Sequence, residues 1–172
     1  MTTRYAVVGS PVGDVAVAVD DGAVTDVRLP HPDGSAATDG LGEPADPGDD
    51  PVLGAAVRQL TAYFAGELRT FDLPLRPRGT AFQQRVWEGL ARVPYGTTTT
   101  YGALATAVGL DPRTTARAVG AANGANRLPV VLPCHRVVGA DGTLTGFSGG
   151  LECKRALLAL EARVASGAST LF

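Results

Sequence analysis

The sequence predicts an α+β protein built from two small domains, the second a winged helix-turn-helix. Three observations carry this prediction. Short runs rich in Val and Ala precede one amphipathic stretch within residues 1–76, the order expected of a small sheet covered by a helix. Pro and Gly interrupt every pattern between Arg76 and Thr80, as a linker does. Beyond them lie two short helical stretches separated by Gly109 and Leu110, then a strong turn signal at Asp141-Gly142, the layout of a helix-turn-helix followed by a wing.

Residues 5–9, 14–19 and 23–29 are short and Val/Ala-rich, with Asp20, Asp21 and Gly22 between the last two. They read as an antiparallel hairpin with one preceding strand. From 31 to 50 the sequence HPDGSAATDGLGEPADPGDD contains almost nothing that can pack, which predicts a mobile acidic loop. Leu53, Val57, Leu60 and Phe64 recur at helical spacing, so a helix is expected over 51–68, followed by a strand over 71–75.

The second domain is expected over 80–165, with 166–172 as a flexible tail. Thr80 is a clear helix start, and Phe82, Val86, Leu90 and Val93 give that helix a buried stripe beside which Trp87 packs as core. Thr99 or Thr100 can cap a helix over 101–108. Asp111 and Pro112 supply an N-cap and an N1 proline for another over 112–122. In this helix Arg113 and Arg117 are four apart and share a face, while Ala116, Ala118, Gly120, Ala121 and Ala122 keep its bulk small. A thin basic helix can come close to a nucleic-acid backbone; by spacing alone, a buried alanine-rich helix with two solvated arginines fits equally well. Residues 136–138 and 143–145 flank GADG and read as the wing hairpin, and 151–164 as a final amphipathic helix with Leu157, Leu158 and Leu160 inward.

Composition narrows the classes. The chain has 172 residues, 45% of them hydrophobic, enough for a real core. No apolar run approaches the ~20 residues that span a bilayer, and MTTRYAVVGS lacks a signal-peptide pattern. A soluble, cytoplasmic monomer without membrane contact is expected. Two cysteines and no CxxC read as two free thiols, and four zinc ligands would consume every Cys and His; neither a metal nor another cofactor is expected. The net charge of −2 hides an asymmetry: residues 1–80 carry 6 Arg against 12 Asp/Glu, whereas residues 81–172 carry 9 Lys/Arg against 5 Asp/Glu. The second half is therefore the candidate for a polyanionic partner.

The run LPCHRVVG, residues 132–139, places Cys134 beside His135 in a chain with only two of each residue. A free thiol titrates near ~8.5, so little thiolate exists at neutral pH unless a base or dipole helps. The adjacent imidazole is one available base.

Several further segments accompany this run in a fixed order. They are FQQRVW from Phe82 to Trp87, TYGALA from Thr100 to Ala105, ARAVG from Ala116 to Gly120, Asn126, GFSGGL from Gly146 to Leu151, and LLALE from Leu157 to Glu161. Together they resemble the O6-alkylguanine-DNA alkyltransferases, or methylated-DNA–protein-cysteine methyltransferases, over about residues 80–163. The resemblance implies a ribonuclease H-like α/β fold for the weakly matching N-terminal domain. It also implies direct, irreversible transfer of an alkyl group from O6-alkylguanine in DNA, and from O4-alkylthymine, to Cys134.

The roles it implies follow a chemical logic. His135, acting through a water, takes the thiol proton, and Glu161 orients and supports the imidazolium. Tyr101 against guanine N3 and the backbone N–H of Ser148 near O6 meet the charge that grows on the leaving base. The carbonyls of Cys134 and Val137 accept from the exocyclic amine, and Phe147 forms an aromatic wall where tyrosine is frequent in the family. Asn126 ties the helix-turn-helix to the reactive loop. Arg117 replaces the flipped nucleotide in the stack, and its helix, with Arg113, Ala116 and Ala121, enters the minor groove of double-stranded DNA. Asn123 stands where some relatives carry a larger apolar residue. Cys153, inside the final helix pattern, is expected to be buried and inert.

A thioether product has no bond that water readily cleaves, so each molecule acts once and is spent. Two other classes compete on the residues alone. A cysteine hydrolase using Cys134 and His135 would release product repeatedly and need no helix-turn-helix. A winged-helix regulator, or a damage-binding relative that does not react, would have no use for the cysteine.

Overall fold

The computed structural model describes residues 3–144, 147 and 149–167, and they divide into two compact units on either side of Arg78 and Gly79. The first contains strands β1 (Arg4–Ser10), β2 (Gly13–Asp20), β3 (Ala23–Arg28) and β4 (Glu43–Pro44). Their order in the sheet is β3-β2-β1-β4. The β1, β2 and β3 pairings are antiparallel, and β4 lies parallel to β1. Asp21 and Gly22 turn the β2–β3 hairpin with φ values of 48° and 75°, the positive pair that a tight two-residue hairpin turn requires.

Helix α1 (Pro51–Phe64) is capped by Asp50, whose carboxylate accepts from the N–H groups of Val52 and Leu53. It packs against β1, β2 and β3 and buries Leu53, Ala56, Leu60 and Tyr63. Strand β2 is buried along its whole centre, from Val15 to Val19. Alternate side chains point to opposite faces of a strand, so both faces of the sheet are covered here.

The second cover comes from the segment expected to have nothing to pack. Leu41, 2% exposed, sits against Ala16, Ala18 and Tyr5, and the β4 pairing and a 3-10 turn at Pro47–Asp49 follow it. One leucine among acidic and small residues was too weak a pattern to register. The strand expected over 71–75 is also corrected: only Leu75 makes a bridge, to Val24. Asp72 instead exchanges hydrogen bonds with the side chain of Gln59 on α1. The helix before it stops at Phe64 rather than continuing to 68, with Gly66 at φ 78° beyond its end.

The second unit begins with α2 (Ala81–Leu90), whose Thr80 and Gln83 form a reciprocal capping box. Strand β5 (Thr99–Thr100) leads directly into α3 (Tyr101–Ala107), capped by the Thr100 hydroxyl accepting from Ala103 N–H at 3.1 Å. Gly109, with φ 79°, turns the chain into α4 (Pro112–Gly124), which Asp111 caps and which runs two residues past its expected end. Helices α3 and α4 pack on each other and on α2, giving the expected helix-turn-helix. Trp87 is 2% exposed, and its indole N–H donates to the Ala122 carbonyl at 2.8 Å, so the largest core side chain also holds α4. The buried stripe of α2 ends at Leu90; Val93 lies beyond the helix and is half-buried.

A 3-10 turn (Cys134–Arg136), strand β6 (Val137–Val138) and helix α5 (Leu151–Ala165) complete the unit. The Asp141-Gly142 turn forms as expected, with Gly139 N–H donating to the Thr143 carbonyl at 2.8 Å. The wing hairpin itself is a correction. Strand β6 pairs in parallel with β5, Thr99 opposite Val137 and Thr100 opposite Val138, and among the described residues no strand follows the turn. Thr145, at the end of the expected second strand, lies outside the described residues. Among the described residues no helix is long and apolar enough to cross a membrane.

Candidate active site

The reactive loop is built from the end of α4 outward. Asn126 is buried, and its amide bridges the loop to itself: Nδ2 donates to the Leu132 carbonyl at 2.7 Å, and Oδ1 accepts from Leu128 N–H at 2.9 Å. Between these anchors Val130 adopts φ 76°, a left-handed conformation that a β-branched residue adopts only under constraint. Cys134 follows at 2% exposure, the first residue of the 3-10 turn. The loop thus carries its thiol on a strained segment that Asn126 fixes to the end of α4.

His135 and Glu161 are 0% and 1% exposed, and His135 Nε2 lies 2.6 Å from Glu161 Oε2. A carboxylate accepts, so Nε2 carries the proton and Nδ1 holds the lone pair. Among the described residues Nδ1 is buried without a hydrogen-bond partner, so its lone pair is left to act as a base. The amphipathic pattern alone gave Glu161 no reason to be inside; its charge is tolerated because donors surround it. Arg136 contributes Nε at 2.8 Å and Nη2 at 3.0 Å, and Gly96 N–H lies 3.3 Å from Oε1. Arg136 also donates from Nη1 to the Val93 carbonyl at 2.6 Å, and its guanidinium carbon lies 5.4 Å from the Tyr95 ring centroid.

Burial pushes the Cys134 thiol up to about 11, against a hydrogen bond from Asn126 and the charge of Lys154. At pH 7 that leaves on the order of one thiolate in ten thousand. Burial likewise holds His135 below its ordinary value, with Glu161 pulling the other way. The resting pair is therefore a protonated thiol beside a neutral imidazole. A thiol in this state is a poor nucleophile until a proton is withdrawn.

The remaining sequence-derived residues fall around this centre or along α4. Tyr101 opens α3 half-buried, its ring over the backbone of Gly120, where an added methyl would sit 3.7 Å from Cδ1. Val137 is fully buried, and its carbonyl accepts from Lys154 Nζ at 2.6 Å. Phe147 is half-buried, with Lys154 Nζ 5.9 Å from its ring centroid. Ser148 lies outside the described residues. On α4, Arg113, Arg117 and Ala121 are exposed and Ala116 is half-buried. Arg113 is held by its own N-cap, Nη2 lying 3.2 Å from Asp111 Oδ2. Cys153 is buried in α5.

Three residues at this centre carried no role in the sequence reading. Arg136 was taken only as a strand residue of the wing. Lys154, fully buried on α5, had a signal: it is the only lysine in the chain, and it stands seven residues before Glu161, on the same helical face. Asn123, 1% exposed, points Nδ2 at the Cys134 carbonyl from 3.5 Å while its Oδ1 is buried without a partner.

Fold and site together define a two-domain helix-turn-helix protein with a buried cysteine next to a buried histidine–glutamate pair. Family models agree on both halves. The ribonuclease-like domain of 6-O-methylguanine DNA methyltransferase matches residues 3–77, and its DNA-binding domain matches residues 81–163. The chain belongs to the methylated-DNA–protein-cysteine methyltransferase family.

It is 46% identical to the methylated-DNA–protein-cysteine methyltransferase of Mycolicibacterium paratuberculosis, covering 98% of each chain. With the constitutive one of Bacillus subtilis it is 40% identical, over 91% of this chain and 94% of that one. Crystal structures of Mycobacterium tuberculosis OGT superpose well; the one in complex with DNA is 43% identical, with a TM-score of 0.80 and 94% of each chain covered.

Proposed function

We propose that this chain repairs DNA by transferring an alkyl group from O6 of guanine to Cys134, once per molecule. The observation that carries this reading is the buried His135–Glu161 pair next to the buried Cys134, with His135 Nδ1 left without a partner among the described residues and so available to accept a proton. A water between the thiol and Nδ1 passes the proton to the imidazole. The resulting imidazolium is stabilised by the Glu161 carboxylate at 2.6 Å. The thiolate attacks the alkyl carbon: the S–C bond forms, the O6–C bond breaks, and the electron pair passes to the guanine ring. Tyr101 and the backbone N–H of Ser148 meet that charge, and a proton returns to the base. The carbonyls of Cys134 and Val137 select guanine, and the Phe147 ring lines the pocket. O4-alkylthymine offers the same alkyl–oxygen bond.

DNA binds through the helix-turn-helix. The exposed α4 face, with Arg117, Arg113, Ala121 and half-buried Ala116, enters the minor groove, where small side chains permit close approach. Arg117 fills the space left by the flipped nucleotide, offsetting an unstacking cost of about a few kcal/mol. The chain acts as a cytoplasmic monomer, and the reaction uses no cofactor or metal.

The test is intact-protein mass spectrometry after incubation with an excess of duplex containing O6-methylguanine. One methyl should appear on Cys134 and the reaction should then stop; Cys134→Ala should acquire none. Continued product release by unmodified protein would establish a hydrolase instead, and methylation confined to Cys153 would move the nucleophile.

A further inference from the structure

We infer that Arg136 is a positioning residue of the transfer reaction: it fixes the Glu161 carboxylate, keeps it ionised, and thereby keeps His135 a neutral base in the resting protein. This rests on the reading of Cys134, His135 and Glu161 as a transfer relay. The geometry is that of a clamp with four attachments. Nε and Nη2 engage the two carboxylate oxygens at 2.8 and 3.0 Å, Nη1 reaches the Val93 carbonyl at 2.6 Å, and the Tyr95 ring covers the guanidinium. A planar fork sets the plane of a carboxylate in a way that a single ammonium does not.

The clamp also joins the chain segment after α2 to the relay. Gly96 donates its N–H to Glu161 from the same turn. That turn is pressed onto α5, since a Cβ at Gly96 would lie 2.8 Å from Ala165 Cβ, and φ is 76°. Arg136 and Gly96 thus both hold Oε1, and Oε2 is the oxygen shared between His135 and Arg136.

The electrostatic consequence follows from counting charges in a buried place. Glu161 and Arg136 neutralise each other, so a proton on His135 in the resting protein would create a net buried cation, which is costly. The other groups facing His135 do not change this: Lys154, from α5, adds positive charge, and the neighbouring Cys134 thiol is neutral. Remove Arg136, and the carboxylate faces the imidazole alone. The proton would then settle on the His135–Glu161 pair before substrate arrives, and a base already protonated cannot relieve Cys134. Arg136 therefore restrains the basicity of His135 until the alkyl transfer demands it.

The experiment is single-turnover methyl transfer from an O6-methylguanine duplex across about pH 5.5 to 9, the range around the histidine pKa, for wild type, Arg136→Gln and Arg136→Lys. In Arg136→Gln the acid limb should move up by about one unit or more, lowering the rate by up to about tenfold for each unit it moves at pH values below the wild-type limb and recovering toward pH 9. Arg136→Lys should restore part of that shift. A uniform loss at all pH values, with the limb in place, would reduce Arg136 to a structural prop and overturn the inference. Should the glutamine variant fail to fold, imidazole 15N spectra of the wild type decide: a neutral Nε2–H tautomer of His135 at pH 6.5 supports the inference, and an imidazolium overturns it. A wild-type adduct on a residue other than Cys134, or Glu161→Gln reacting at the wild-type rate at every pH, would instead refute the underlying relay.

Discussion

Replacing Asn126 by alanine should both destabilise the second unit and slow alkyl transfer, by amounts that can be worked from two hydrogen bonds. The side chain is 8% exposed, and its amide serves the Leu132 carbonyl at 2.7 Å and the Leu128 N–H at 2.9 Å. Alanine satisfies neither. Each buried peptide group left without a partner costs about 1–3 kcal/mol, so the variant should lose roughly 2–6 kcal/mol unless water enters. Trp87 is the single tryptophan and lies in the same unit, so urea unfolding followed by its fluorescence reads the loss directly. Asn126→Asp provides the control: it keeps the acceptor for Leu128 but loses the donor to Leu132, and should fall between wild type and alanine at neutral pH only if the added charge is tolerated. The same loop carries Cys134 two residues beyond Leu132, so the methyl-transfer rate should fall by about ten- to a hundredfold, the effect of a misplaced nucleophile. A stability loss under about 1 kcal/mol together with an unchanged rate would refute the view that Asn126 holds the reactive loop.

Other outcomes follow from the same geometry. Burial lowers His135 and raises Cys134 to about 11. The unfolded chain therefore binds more protons than the native one as pH falls below about 6.5, and fewer above about 8.5. Stability should decline on both sides of that window, and Cys134→Ala should flatten the alkaline decline relative to wild type; an identical slope in both proteins counts against a strongly raised thiol. Gly89→Ala should destabilise the second unit by about 1–3 kcal/mol, because its Cβ would lie 2.4 Å from Val108 Cγ1 and 3.0 Å from Leu104 Cδ1; urea unfolding that shows no loss would mean that α2 and α3 can separate at little cost. Arg117→Ala, on the exposed face of α4, should slow reaction with methylated duplex while sparing reaction with free O6-benzylguanine. An equal fall with both substrates would remove Arg117 from nucleotide flipping.

The helices were legible wherever a cap and a periodic stripe coincided. Thr80, Thr100 and Asp111 each start a helix where the sequence places it, because side-chain capping is local chemistry. What escaped was non-local. Leu41 is a lone apolar residue in an acidic stretch, and only the second face of β2, which it covers at Ala16 and Ala18, gives it a place. Strand β6 looked like half of a hairpin because Asp141-Gly142 is a strong local signal, but its actual partner, Thr99–Thr100, is far away in the chain. Cys134 and His135 stood out by adjacency, and Glu161 only through the family pattern. Arg136 and Lys154 were hidden because long cationic side chains are ordinarily solvated, and nothing local states that a buried carboxylate and a buried carbonyl await them.

The parallel pairing of β5 with β6 has a consequence for how this molecule can vary. Thr100 is at once the partner of Val138 and the cap of α3, so the start of the helix-turn-helix and the strand that follows Cys134 share one main-chain joint. On the proposed reading of DNA binding, the span from Tyr101 to Arg136 works as a ruler between the bound base and the thiol. One residue inserted or deleted within it would shift the thiol relative to the base by about 1.5–3.5 Å, more than bond formation allows.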